Sequence, residues 1–148
     1  MVVVEHSVTF KGDVQRAWDK LVDFSRMHEW DIFVDSVHFD GPLKVGSAGN
    51  LKSRDGHNYV LTVTDFNPPK SYTDEISVMG SKFIFYHELS EKNPGEITMR
   101  FTITAKGFIA FIFQYPIKNA FEQKLPILMD SFKRQYEEAV VQEIRRPE

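Results

Sequence analysis

At 148 residues, 42% of them hydrophobic, the chain has the length of one ordinary domain, residues 1–148, able to bury most of its apolar surface in a single core. Its 21 acids and 18 bases leave a formal charge of -3 with no basic stripe, so nucleic acid is not an expected partner. The absence of cysteine excludes disulfides, thiolate nucleophiles and Cys-ligated metal centres.

The opening Met1–Val4 gives way at once to Glu5 and His6, too short an apolar run for a signal peptide, and no later run could span a bilayer. The expectation is a cytoplasmic protein. Val4, His6, Val8 and Phe10 alternate with Glu5, Ser7 and Thr9, which predicts a strand that turns His6 inward. Asp13 is placed to cap a short amphipathic helix whose inner face is Val14, Ala17, Trp18, Leu21 and Val22. A second helical turn or two is expected over 25–32, with Met27, Trp30 and Phe33 packing on a sheet.

From Val34 to Lys106, turn residues recur at Gly41-Pro42, Gly46, Asp55-Gly56, Asn67-Pro68-Pro69, Gly80 and Asn93-Pro94-Gly95, the spacing of an antiparallel meander. Beyond Pro116 a helical repeat runs to about Ile144. Its inward stripe is Phe121, Leu125, Leu128, Phe132, Tyr136 and Val140, opposed by charged residues, and Pro126 inside it predicts a kink.

Register can be read from the turn near Gly80. A two-residue turn at Gly80-Ser81 pairs Met79 with Lys82, and therefore Val78 with Phe83, Ile76 with Phe85, Asp74 with His87 and Tyr72 with Leu89. These residues share one face, continued by Tyr59, Leu61 and Val63 on the preceding strand and by Ile97, Met99, Phe101, Ile103 and Ala105 on the last. Arg100 points to solvent. The inner face is aromatic and apolar, interrupted by Asp74 and His87, which this register sets in contact. A buried carboxylate is costly unless paired, and an imidazole is a fitting partner.

The order of strand, short helices, six strands and long helix resembles the START-like superfamily, which includes polyketide cyclases and dehydrases, lipid-transfer domains and birch-pollen-allergen-type proteins. The residues that carry the likeness are the Trp18 helix, the Trp30 segment, Gly41, Val45-Gly46-Ser47, Asp65-Phe66-Asn67-Pro68-Pro69-Lys70, the Gly95 turn before Thr98, and the closing segment from Gly107 to Glu138. The resemblance implies an α+β helix-grip fold: a curved seven-stranded antiparallel sheet wrapped around a long C-terminal helix, with two short helices between strands 1 and 2. It further implies an internal cavity between sheet and helix for a lipid, polyketide or aromatic molecule, without fixing one activity. Family cyclases often place an arginine in that cavity; here Arg54 falls at a hairpin tip and Arg100 points outward.

The expected pocket residues are His6, Tyr59, Tyr72, Asp74, Phe85, His87, Met99, Phe101, Phe121, Leu125, Leu128, Met129 and Phe132. No confident catalytic residue emerges; Asp74 and His87 are candidates for a base dyad, for ligand orientation, or for a structural polar pair. No cofactor and no metal are expected, since His28, His38 and His57 lack ligand spacing, and Asp13, Asp19 and Asp23 read as a solvated helix face. The leading expectation is binding or transport of a hydrophobic small molecule. The alternatives are a cyclase- or dehydrase-like enzyme using Asp74 and His87, and an interaction module presenting Phe108 to Phe113, whose rings also suit transient membrane contact. Oligomeric state is left open.

Overall fold

The structure is a computed structural model in which residues 1–145 are described. Seven antiparallel strands form one open sheet: β1 (Val2–Lys11), β2 (Val34–Phe39), β3 (Ala48–Ser53), β4 (Asn58–Asn67), β5 (Ser71–Val78), β6 (Ser81–Asn93) and β7 (Glu96–Lys106). Their order is β1-β7-β6-β5-β4-β3-β2, so β2 to β7 run as a meander and the first strand returns to pair with the last. Between β1 and β2 lie α1 (Val14–Leu21) and a 3-10 segment, Phe24–Glu29. After β7 come α2 (Phe108–Ile112) and the long α3 (Gln114–Arg145). This is the expected helix-grip architecture.

Local chemistry explains the elements. Asp13 is extended at φ -111° and its carboxylate accepts the Gln15 N–H at 3.1 Å, capping α1, whose Ala17, Trp18 and Leu21 are buried. The segment expected as helix over 25–32 is shorter and tighter, a 3-10 turn that brings Met27 and Trp30 under the sheet. α3 continues through Pro126 as one element, burying Leu125, Leu128, Met129, Phe132 and Tyr136 on one side. The proline ring removes one helical donor but leaves the inward stripe in place.

One expected register is corrected. The β5–β6 turn is Met79-Gly80, not Gly80-Ser81: Val78 pairs with Ser81, Ile76 with Phe83, Asp74 with Phe85 and Tyr72 with His87. A two-residue hairpin of type I′, whose twist matches its strands, needs left-handed backbone at both central positions. Met79 at φ 50° and Gly80 at φ 82° supply it. Ser81 is drawn into the strand by a second duty, its Oγ accepting the Ile109 and Ala110 N–H groups at 2.9 and 3.1 Å and fixing α2 beside the hairpin. The slip is two residues, so every side chain keeps its face while its neighbours change.

The interior divides into two ends. Toward β1, Phe132 meets Trp30 edge-to-face at 5.1 Å and Phe10 at 6.3 Å, and Phe10 meets Tyr136 at 5.0 Å. The Tyr136 hydroxyl accepts the Asp13 N–H at 2.9 Å, tying α3 to the start of α1. Ile97, Met99, Met129 and Phe132 are inaccessible there. Phe132→Ala should cost about 3–5 kcal/mol in denaturant unfolding, whereas Ile127→Ala on the outer face of α3 should stay within about 0.5 kcal/mol. Equal effects would contradict this division.

Candidate functional site

At the other end, β4, β5 and β6 stand away from α3 and enclose a cavity of about 440 Å³. Leu61, Ile76, Phe85 and Phe101 line it from the sheet, and Phe121, Leu125 and Leu128 from α3. Its rim is formed by Ile32 and Phe33, by Arg54 and Asp55 of the β3–β4 turn, and by Lys124, whose ammonium lies 5.3 Å from the centre of the Phe33 ring. Phe121 bridges the rim, meeting Phe33 at 5.9 Å and Phe83 at 6.2 Å.

Of the expected pocket residues, Tyr59, Asp74, Phe85, His87, Phe101, Phe121, Leu125 and Leu128 lie on this wall. The structure places the other five elsewhere. His6 is a half-buried residue of β1 opposite Phe101. Tyr72 is covered by Trp18 and Phe24 at 6.0 and 5.8 Å. Met99, Met129 and Phe132 belong to the solid end. Eight of the thirteen lie on strands and five on α3, and α1 and the 3-10 turn fill part of the space between the two layers.

Asp74 and His87 are not opposite each other, contrary to the sequence-derived register. They are diagonal neighbours across β5 and β6. His87 stacks on the ring of its partner Tyr72 at 4.1 Å with 12° between planes, and meets Phe101 edge-on at 4.7 Å. Its Nδ1 lies 3.3 Å from the Tyr72 carbonyl, a contact that assigns the proton to Nδ1 and leaves the Nε2 lone pair free. Burial among these rings pushes the imidazole pKa down to about 4, against the weaker opposing pull of the carbonyl. At neutral pH the ring is uncharged.

Asp74 is 3% exposed, and no other side chain hydrogen-bonds its carboxyl among the described residues. Burial, and secondarily the charge of Asp31, raise its pKa well above the ordinary range, with its own backbone N–H opposing. Burial thus favours the protonated acid, a hydrogen-bond donor inside an apolar wall. The Tyr72 hydroxyl, buried without a partner among the described residues, is raised too, by burial first and then by Asp74 and Asp31.

Two polar groups of the wall were not anticipated from sequence. Asp31 accepts the Phe33 N–H at 2.9 Å, and burial pushes it up to about 6, opposed by that N–H and by Arg54. Its flanking Trp30, Ile32 and Phe33 were the available signal, an acid set in an apolar run. Arg54 does sit at the hairpin tip, yet its side chain turns back to the cavity rim, donating to the Val34 carbonyl at 3.1 Å and the His28 carbonyl at 2.7 Å. Arg100 faces outward as expected, paired with Glu88 at 3.0 Å.

A family model described as polyketide cyclase / dehydrase and lipid transport matches residues 1–137. The chain belongs to that family. Solved structures agree on the fold. A conserved protein from Geobacillus kaustophilus is 18% identical, with a TM-score of 0.70 over 93% of this chain and 97% of that one. A hypothetical protein from Helicobacter pylori is 14% identical at a TM-score of 0.75, over 90% and 87%. A protein of the dynemicin biosynthetic locus is 16% identical at 0.72 over 91% of this chain, which spans 47% of that longer one. No curated protein matches the sequence. Among the described residues no helix is long and apolar enough to cross a membrane, and no cluster of three His, Asp or Glu could hold a metal ion.

The buried groups imply a pH signature. Above the ordinary aspartate pKa of 3.8 the folded protein holds a proton on Asp74 that the unfolded chain releases, so this group's contribution to stability falls as pH rises. Asp31 acts in the same sense between 3.8 and about 6. His87 acts oppositely: between about 4 and 6.5 the unfolded chain binds the extra proton, so stability rises with pH. Asp74→Asn should therefore exceed the parent in denaturant midpoint at neutral pH, with the advantage shrinking toward pH 4. His87→Gln should lose less stability than the parent on acidification from pH 6.5 to 4. A pH-independent offset in both variants would contradict these assignments.

Proposed function

We propose that the protein binds or carries a hydrophobic small molecule in the cavity between β4–β6 and α3, acting as a single helix-grip unit. The observation that carries this reading is an apolar wall containing two neutral polar groups with capacity to spare, the protonated Asp74 carboxyl and His87 Nε2. A volume of about 440 Å³ suits a drug-sized guest, and sites for such guests combine many apolar contacts with few orienting polar atoms. Family membership supports the same class of ligand. Asp74 would donate to a guest oxygen, His87 would accept from a guest hydroxyl, and Tyr59 would add a third polar contact on the wall.

Binding is favoured over cyclase or dehydrase chemistry by the same environment. General acid–base catalysis works best with pKa values near the working pH. An imidazole held near 4 is a poor proton acceptor at neutrality, so His87 is ill suited to abstract a proton. Arg54 turns two of its donors, Nε and Nη2, to backbone carbonyls.

The test is fluorescence titration with N-phenyl-1-naphthylamine, a neutral apolar probe. Saturable one-to-one binding is expected. Leu128→Trp, which fills the cavity from α3, should weaken it at least about tenfold, or ~1.4 kcal/mol, with little change in Tm. Asp74→Leu should keep probe binding but remove any preference for 1-acetonaphthone over naphthalene. Non-saturable binding, or indifference to Leu128→Trp, would refute the cavity as the site.

A further inference from the structure

The surface beyond the cavity rim has the opposite of ordinary helix patterning. Phe108, Phe111, Ile112 and Tyr115 recur at the spacing of one helical face across α2 and the start of α3, and that face points to solvent. They are 70%, 64%, 50% and 79% exposed, while Ala110 on the opposite side is buried. Phe113 at 51% and Met79 at 81% adjoin them, because Ser81 holds α2 against the β5–β6 turn. Gly107 permits that closeness: a Cβ there would meet the Ser81 Cα at 2.8 Å. With whole aromatic side chains covering ~150–250 Å² each, the six residues expose on the order of 700 Å², beyond the largest apolar patch of a typical monomer.

The charge around this tip is specific. No acid occurs from residue 97 to residue 121, although acids outnumber bases in the chain. The charged residues bordering the patch are Lys82, Lys106 and Lys118. Lys82 and Lys118 also reach Glu75 at 3.4 Å and Glu122 at 3.8 Å, while Lys106 makes no ion pair among the described residues. The excess at the tip is positive on a chain of charge -3. A protruding apolar helical face with lysines at its margin is the pattern of interfacial anchoring, the rings entering the acyl boundary and the ammonium groups meeting lipid phosphates. The tip also adjoins the cavity: Val78, immediately before Met79, lines it, as do Phe83 and Phe121.

We propose that the outward face of α2 and the neighbouring Met79 turn form a docking surface for an anionic phospholipid bilayer, which sets the cavity rim against the membrane. The surface is separate from the cavity groups, so docking is measurable whether or not a guest binds inside. Sedimentation of the full chain with phosphatidylcholine vesicles containing about a quarter phosphatidylglycerol tests it. The parent should co-sediment, and more weakly at high salt. Phe108→Ser/Phe111→Ser should lower the partition coefficient at least about tenfold without changing Tm, because both rings are exposed. Lys106→Gln/Lys118→Gln should weaken binding to the anionic vesicles but leave the residual binding to pure phosphatidylcholine unchanged. The proposal is overturned if the parent stays in solution with both vesicle types or if the serine variant partitions like the parent. It is equally overturned if sedimentation equilibrium shows a parent dimer that the serine variant dissociates, which would assign the face to a second copy of the chain.

Discussion

Phe132 lies between Trp30 and Phe10, at ring-centroid distances of 5.1 and 6.3 Å, and this aromatic wedge fixes α3 on the β1 side of the sheet. The rest of the interior follows from it. One helix cannot fill the space under seven strands, and the rings that seal one end hold the helix clear of the other. α1 and the 3-10 turn add Trp18, Leu21 and Phe24 to the packed core. Beneath the rest of β4, β5 and β6 the cavity lies between the sheet, α3 and residues 31–34.

Chemistry inside that space is set by burial more than by pairing. In water an aspartate and a histidine on adjacent strands would readily form an ion pair, each favouring the charged state of the other. Here each is turned to its neutral form instead, His87 by the rings of Tyr72 and Phe101 and Asp74 by desolvation with Asp31 nearby. A wall built this way offers one donor and one acceptor without the desolvation cost of a fixed charge. That suits recognition of an apolar guest bearing oxygen, and it lowers the basicity that His87 would need to abstract a proton.

The sequence made the strands, the α1 cap and the inward stripe of α3 legible because each is a local periodicity. The cavity was legible only through resemblance, since hollow and solid halves carry the same aromatic stripe: nothing in the pattern separates Phe101 on the wall from Met99 in the packed end. The misplaced turn shows a different limit. Gly80 announces a left-handed position, but Met79 is an unlikely residue for one, and Ser81 joins β6 because of α2 backbone groups 28 and 29 residues away in sequence. The consequence was a false contact between Asp74 and His87, although both face inward as read. Asp31 and Arg54 were missed because their place on the rim depends on how the β3–β4 turn folds over the segment after Trp30.

The division of the interior into a solid end and a hollow end is most directly tested by methyl NMR of the full chain under xenon pressure, since xenon enters dry apolar cavities without needing a chemical match. The account predicts shift changes at Leu61, Ile76, Ile103, Leu125 and Leu128, with Leu21, Ile97, Met99 and Met129 unmoved. Equal shifts in both groups, or none in either, would contradict it.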